Sequence, residues 1–524
     1  MEQKEQKKRL LKSTLAVSGP TVLSRVLGYA RDMIQAFFLG TGSGADAFTI
    51  AYIIPNLLRR LTGEGTMTAA FVPVFTQLKT EESREKLWKF ANTFFFDLTL
   101  IMALLTVTGI VLSPLLVQII SPGFKEVPGK WELTIVLTRI MFPYIFLISL
   151  AALAMAILNS FHKFAVPAFT PVLFNLAIIC LAAIFAPKAR EPAYVFAFGV
   201  VVGGVFQLAF QLPFLWKRGM RFKFGLSFSH PAIRKVGALM VPGIFGVGIT
   251  QINLAVSRAM ASFLEEGSTS SLYYATRVRE LTLGLFSIAL SIALLPTFSE
   301  LAARKDIEGM KKTLVFSFKM IILVTLPAMV GLLLLNHQII QVLFQRGLFT
   351  SQSTDVTATC LFFFSLGLPF ISVVKILASA FFSLKDTKTP VIIAFFVMIS
   401  YLSLALVLMK PLRVGGIALA LSLSETFNFL LLFVFLERKI GKIEKKEILA
   451  SFLRSSFAAI LMGAAIWFLL GRFEFQRLEF LQQLGALLAV ILAGILIYVI
   501  LSLLFNSKDL KILRDVFSKE RILQ

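Results

Sequence analysis

The sequence predicts an all-α integral membrane protein of about 14 transmembrane helices, built as two parallel six-helix repeats followed by two extra C-terminal helices. Three observations predict it. Of the 524 residues, 57% are hydrophobic and only 15% charged, with a mean hydropathy of +0.83. A water-soluble chain has no use for that much apolar surface, whereas each spanning helix needs about 20 mostly apolar residues. Apolar runs of that length recur along the whole chain, joined by short connections. Positive charge also alternates between connections. With the N-terminus inside, the connections holding Lys79–Lys89, Lys217–Lys235, Arg304–Lys312 and Arg438–Lys446, and the tail from Lys508, are all internal. The internal side then carries roughly 32 Lys or Arg against about 9 outside.

The elements follow in order. Residues 1–12, "MEQKEQKKRLLK", are a basic cytoplasmic leader; the run after it is too long and too charged to be a signal-peptide core. Six spans, 13–39, 46–78, 88–120, 132–160, 165–186 and 193–216, make an N-lobe (13–216). Six more, 233–264, 272–300, 312–336, 356–383, 389–410 and 414–436, make a C-lobe (233–436). The pair 449–470 and 479–506 has uncharged middles, apart from Arg454 near an edge, and faces lipid or partners (449–506). Residues 507–524 form a basic cytoplasmic tail. An even number of spans puts both termini inside.

The second span is too long for one straight crossing: at 1.5 Å per residue it would reach about 50 Å, against a core of about 30 Å. Pro55 and "TGEGT" at 62–66 can break it. Unwound backbone at membrane depth requires protein or a water cavity around it. Four proline pairs carry the internal repeat. Pro20 and Pro242 are 222 residues apart, Pro73 and Pro296 are 223, Pro143 and Pro369 are 226, and Pro167 and Pro390 are 223. A unit of six spans makes the halves parallel repeats, and such lobes enclose a central site.

Charge inside the spans is the candidate chemistry. Through and just before "LSRVLGYARD" (23–32), Ser18, Thr21, Arg25, Gly28 and Asp32 share a helix face, with Arg31 beside it. The second span holds Asp46, Arg59, Arg60 and Glu64, and the seventh holds Arg258. The eighth lines up Tyr274, Arg277, Glu280, Gly284, Ser287 and Ser291, with Arg279 off that stripe. Arg139, Lys319, Lys375, Asp97 and Glu425 are further intramembrane charges, several near span ends. A lone arginine can snorkel or pair with a nearby acid, as Arg25 with Asp32 or Arg59 with Glu64. The set as a whole has more arginines than nearby acids. Desolvated surplus charge is costly, so it implies a water-filled cavity, an anionic ligand, or both. Arginine's planar fork suits phosphate oxygens; a proton relay would instead need His and paired carboxylates.

Other function classes are excluded. The formal charge of +23 has no soluble basic face to sit on, so nucleic acid is not a partner. Cys180 and Cys360 lack metal-ligand spacing and read as small core residues, and His162, His230 and His337 are scattered in connections. Neither a metal site nor a cofactor motif is present. No P-loop, HExxH or GxSxG occurs in useful context, so the chain is not expected to be an enzyme. Transport must draw on an ion gradient, the membrane potential or the substrate gradient.

The stretches "SRVLGYARD" (24–32), "GADAFTIAYIIPNLLRRLTGEGTMTAAFVPVF" (44–75) and "YYATRVRELTLGLFSIALSIALLP" (273–296) closely resemble the MurJ (MviN) lipid II flippases, of the superfamily that includes drug exporters and polysaccharide flippases. The resemblance implies transport of undecaprenyl-diphosphate-linked peptidoglycan precursor from the inner to the outer leaflet of the bacterial cytoplasmic membrane by alternating access. It matches essential arginines to Arg25, Arg31, Arg59 and Arg277, and important acids to Asp32, Asp46 and Glu64; Arg60, Arg258 and Glu280 are expected to support them. It places a lipid-tail groove at 449–506, and offers Glu425 and Asn428 as the nearest residues to a sodium site found in some members. Implied partners are lipid II, membrane lipids, and peptidoglycan synthases or the division or elongation machinery. Asp46 and Glu64 are expected to hold or release the arginines as the lobes rock. The rival readings are a drug or polysaccharide exporter on the same fold, a membrane enzyme acting on polyprenyl phosphates, and a membrane scaffold.

Overall fold

The structure is a computed structural model describing residues 2–62, 66–285, 287–472 and 475–505, without the side chains of 2–17, 58–62, 66, 242–250, 252, 285, 288–289 and 476. The described residues are helical almost throughout and contain no strand. They divide into two compact units, Met1–Ser270 with Arg346–Phe349, and Ser271–Gln345 with Thr350–Gln524. The first contains α1 (Glu2–Leu39), α2 (Ser43–Thr62), α3 (Thr66–Glu81), α4 (Arg84–Val111), α5 (Ser113–Ile120), α6 (Lys130–Met141), α7 (Pro143–Ser160), α8 (Ala165–Phe185), α9 (Pro192–Ala209), α10 (Leu212–Arg218) and α11 (Pro231–Ala261). The second contains most of α12 (Ser268–Leu285), then α13 (Ser287–Ala303), α14 (Ile307–Phe344), α15 (Ser351–Leu366), α16 (Leu368–Ser383), α17 (Lys388–Ile440), α18 (Lys445–Leu470) and α19 (Phe480–Phe505).

The division by packing falls at Ser270, not in the connection after residue 216, because α11 packs against α2, α3 and α5. Residues 219–230 run along α4 on the way. Asn92 accepts the Lys223 amide (3.3 Å) and Asp97 the Ser227 amide (3.1 Å), while Phe95 and Phe96 meet Phe222 and Phe224.

Among the described residues, eight helices are long and apolar enough to cross a membrane, or nine if the bent pair α15 and α16 counts as one span. The eight do not include α1, α2, α11 or α12, which carry Arg25, Arg31, Asp32, Asp46, Arg59, Arg258 and Arg277. Several spans are broken where the sequence supplies a helix breaker. α2 runs through Pro55, and the expected break at 62–66 lies largely outside the described residues. Pro143 starts α7 directly after α6, and Pro369 lies in the first turn of α16 after a bend of 47°. α17 contains a break at Arg413 (φ 50°, ψ −132°), two residues after Pro411. Proline ends helical hydrogen bonding by lacking an N–H and crowding the preceding turn. Two of the four proline pairs occupy like positions: Pro73 and Pro296 lie inside α3 and α13, and Pro167 and Pro390 are each the third residue of their helix.

Each unit has its own apolar core. In the first, Phe71, Phe75, Phe90 and Phe94 stack between α3 and α4, and Tyr144, Phe174 and Phe196 fill the space beside α8 and α9. In the second, α14 is the spine. α18 and α19 pack on it, where Gly463 lies against Val330 and the Tyr498 hydroxyl donates to the Leu323 carbonyl (2.7 Å). Cys360 is buried as expected, but Cys180 is exposed, on a side of α8 that α1 and α9 leave uncovered.

Candidate functional site

In the first unit, α1 carries its polar face through a change of surroundings. Ser18, Thr21 and Arg25 are exposed, whereas Gly28 and Asp32 are buried, because α8 packs along the C-terminal half of α1. Arg25 makes no side-chain hydrogen bond or ion pair with another described residue. Arg31 turns back on Asp32: its Nη2 and Nε lie 2.7 and 3.2 Å from the same carboxylate oxygen, Oδ1. Its Nη1 donates to Asn175 Oδ1 on α8 (3.3 Å), and Asn175 in turn donates to the Ser24 carbonyl (3.0 Å). Asp32 is fully buried and Arg31 is 11% exposed. The pair is thus positioned by α8, with one guanidinium edge on the acid.

Asp46, in the first turn of α2, is 1% exposed and fully engaged. Its Oδ2 accepts from Lys130 Nζ (2.7 Å) and the Gly267 amide (2.9 Å), and its Oδ1 from the Ser270 amide (2.8 Å) and hydroxyl (2.7 Å). The cation on Asp46 in this structure is Lys130, and not one of the arginines. That lysine is 3% exposed and lies over the Phe124 ring at 4.2 Å. Gly267 adopts φ +89°, and a Cβ there would meet the Thr41 carbonyl, so the close turn is a glycine position. Arg258 is buried and donates to the Thr269 carbonyl (2.8 Å), bracing the same turn. Nearby, the Ser43 amide donates to Glu266, and Gly123 to the Ser262 hydroxyl (3.1 Å). These contacts tie the starts of α2 and α6 to the α11–α12 connection. A buried carboxylate is tolerated at that depth because a cation and three further donors surround it.

Arg59 and Arg60 lie in the last turn of α2, and nothing is described of their side chains; Glu64 lies outside the described residues.

The second unit splits its expected polar stripe in two. Arg277, 27% exposed, pairs with exposed Glu280 one turn on (3.4 Å). The serines beyond are packing contacts. Ser287 donates to Ser372 (2.6 Å), and Ser291 meets the Lys375 carbonyl and the Ser379 hydroxyl, joining α13 to α16 as small polar residues join helices in lipid. Arg279 lies over the Phe364 ring at 4.5 Å and interacts electrostatically with Glu280 and Glu425. Glu425 accepts from Asn428 (3.3 Å) and faces the positive charges of Arg279 and Lys375. The remaining intramembrane charges have local partners: Arg139 donates to Ser113 (3.0 Å), and Lys319 pairs with Glu447 (3.3 Å).

Fold and charge together define a multipass helical membrane protein. A solved structure described as the inward-facing conformation of a multidrug resistance MATE family transporter of the MOP superfamily superposes with a TM-score of 0.67, over 80% of this chain and 94% of that one, at 12% identity, a likeness of fold alone. The solved structure of "Lipid II flippase MurJ, inward closed conformation" is more similar, with a TM-score of 0.78 and 28% identity over 94% of this chain and 99% of that one. The family described as Lipid II flippase MurJ matches residues 35–505. "Probable lipid II flippase MurJ" of Vibrio cholerae serotype O1 is 35% identical over 518 residues, 96% of this chain and 98% of that protein. "Lipid II flippase MurJ" of Burkholderia cenocepacia is 35% identical over 434 residues, 82% of this chain and 84% of its own. The chain belongs to the MurJ lipid II flippase family, whose members are transporters and not enzymes.

Proposed function

We propose that this chain moves lipid II, the undecaprenyl-diphosphate-linked peptidoglycan precursor, from the inner to the outer leaflet of the bacterial cytoplasmic membrane by alternating access. The observation that carries this reading is the match to the MurJ family across 35–505, which takes in both units and the final helix pair. We read the helices as fourteen spans, two parallel repeats of six and then α18 and α19, with both termini inside. The like helical positions of two of the proline pairs and the loop charge support that arrangement.

In this reading the guanidinium groups of Arg25, Arg31, Arg59 and Arg277 receive the diphosphate in a hydrated cavity. Support comes from α1, where Arg25 is exposed and Arg31 keeps one edge on Asp32. The Asp46 cluster serves as a latch for one state and is remade in each cycle, braced by Arg258; Glu280 holds Arg277 between substrates. Population shift requires that substrate bind one state better, and competition between diphosphate and carboxylate for arginine supplies such a difference. The polyprenyl chain stays in lipid, with α18 and α19 offering its groove. No cofactor is invoked, and an ion gradient or the membrane potential resets the cycle. Peptidoglycan synthases of the division or elongation machinery take the product.

The test replaces each of the four arginines by Ala and by Lys and measures lipid II exposed on the outer leaflet. The reading predicts loss with Ala and partial retention with Lys; intact flipping in all four Ala variants sinks the arginine cradle. A polysaccharide exporter would instead accumulate a different lipid-linked glycan on depletion.

A further inference from the structure

A second basic site lies in the first unit, away from the charges of α1 and α2's first turn. The ends of α3, α4, α7 and α10 surround a cavity of about 350 Å³ lined by Lys79, Arg84, Trp88, Phe161, Lys217 and Arg218. Glu82 is the one acid in the lining, and Lys86 already occupies it at 2.9 Å. Four cations thus share a small concave space with a single acid that is also paired with Lys86. They are held in place. Lys79 donates to the Ser160 carbonyl (3.0 Å) and lies 4.5 Å over the Phe161 ring; Arg218 lies 5.8 Å over that ring; Arg84 donates to the Arg218 carbonyl (2.9 Å). Each contact uses one donor of an ammonium with three or a guanidinium with five, so donors remain.

The floor supplies an independent sign of a ligand. Trp88 is 92% buried (8% exposed), yet its indole N–H has no hydrogen-bond partner among the described residues. A buried donor left unpaired is costly. Trp88 Nε1 and Arg84 Nη2 both pack against Gly219: a Cβ there would lie 3.3 and 2.7 Å from them, so the two donors are neighbours in the wall of the cavity. An acceptor with several oxygens satisfies both. Phe161 is stacked on Trp88 and covered by cations, so no ring face is open to a nucleobase.

We propose that this cavity binds a phosphate group, with the Trp88 indole and the Arg84 guanidinium donating to its oxygens and Lys79, Lys217 and Arg218 balancing its charge. The phosphate belongs to a phospholipid headgroup or to a soluble phosphate. This site is separate from the arginines of the proposed transport cavity and stands or falls without them.

The full-length protein is titrated with inorganic phosphate in detergent, followed by calorimetry, and is reconstituted in phosphatidylcholine nanodiscs with and without phosphatidylglycerol, followed by its melting temperature. Three variants are compared: Trp88→Phe, which keeps the ring and removes the donor; Arg84→Gln with Lys217→Gln; and Lys442→Gln with Lys446→Gln, which removes equal charge elsewhere. Each is first shown to melt with the wild type in phosphate-free detergent, so that a folding defect is not read as a binding defect. The wild type and the Lys442/Lys446 variant respond to one probe; the other two bind about tenfold more weakly, the scale of one hydrogen bond to a charged group. A response to phosphatidylglycerol alone assigns the headgroup, and a response to inorganic phosphate assigns the soluble ion. No response to either probe, or equal responses in all variants, overturns the proposal.

Discussion

Asp46 and Arg25 sit in neighbouring helices of one compact unit and are treated in opposite ways. Asp46 is buried with four donors on its two oxygens, and its cation, Lys130, is as buried as it is. Arg25 is exposed and has no side-chain partner among the described residues. Arg31 stands between them, with one edge on a buried acid and 11% of its side chain exposed. The difference teaches how to sort charges in a membrane protein. A charge that stabilises the fold is surrounded, because an unmatched ion in a low dielectric costs several kcal/mol. A charge left incompletely matched has to find its counter-charge elsewhere.

The sharpest way to break this contrast is at Asp46. Asp46→Ala leaves the Lys130 ammonium and the Gly267 and Ser270 amides without their acceptor, and should cost about 3–5 kcal/mol. Thermal unfolding in detergent reads it. Lys130→Met should cost a similar amount, while Asp46→Asn combined with Lys130→Met should recover much of the loss. A wild-type melting temperature for Asp46→Ala would mean that the cluster is not structural. Arg31 comes next. Arg31→Ala leaves Asp32 buried without its guanidinium, though Arg31's own partial exposure softens the change; about 2 kcal/mol is expected. Its loss of flipping should therefore come with a lower melting temperature, and Arg31→Lys should restore stability more than transport.

Much of this was legible in the sequence, and the limits have physical reasons. Helix ends were legible wherever the chain carries its own punctuation: the start of α7 at Pro143 and the break of α17 near Pro411. The face of α1 was legible because helical periodicity is local. Lys130 was not, although it is the counter-charge of Asp46. It lies in a polar connection beside Gly129 and Trp131, and its partner is 84 residues away, so no local pattern marks it as buried. The polar stripe of α12 and α13 misled for the related reason that spacing cannot separate a serine facing water from one bonded to the next helix. Ser287 and Ser291 are the latter. The pairing of α11 with α2, α3 and α5 was hidden too, because a sequence repeat fixes the order of spans and not their neighbours.

A smaller effect tests the rule in the second unit, outside the spans. The Lys439 ammonium (2.6 Å) and, after it, the Thr389 amide hold the Asp386 carboxyl at about 2, below its usual 3.8, and the amide contact caps the first turn of α17. A depressed carboxylate stabilises the fold above its unfolded value. That stability is therefore complete above about pH 4 and fades as pH falls toward 2. Asp386→Ala should cost about 1 kcal/mol at neutral pH, the size of a helix cap. The gap between the melting curves of variant and wild type should narrow from pH 7 to pH 3 and close near pH 2, as the carboxylate is protonated.

The smallest change in stability is expected at Arg25, and it carries the most weight. Arg25→Ala removes no hydrogen bond or ion pair with another described residue, so its melting temperature should stay within about 0.5 kcal/mol of wild type, as for exposed positions elsewhere. Lipid II exposure on the outer leaflet should nonetheless collapse, because in the proposed reading the counter-charge of Arg25 is the substrate's. Arg25→Lys keeps the charge but not the fork, and should fall between. A fully stable Arg25→Ala that still flips would show that exposure alone does not mark a ligand-binding charge, and the contrast with Asp46 would lose its functional half. A variant that melts early would show the reverse, that Arg25 has a structural partner in another state of the cycle.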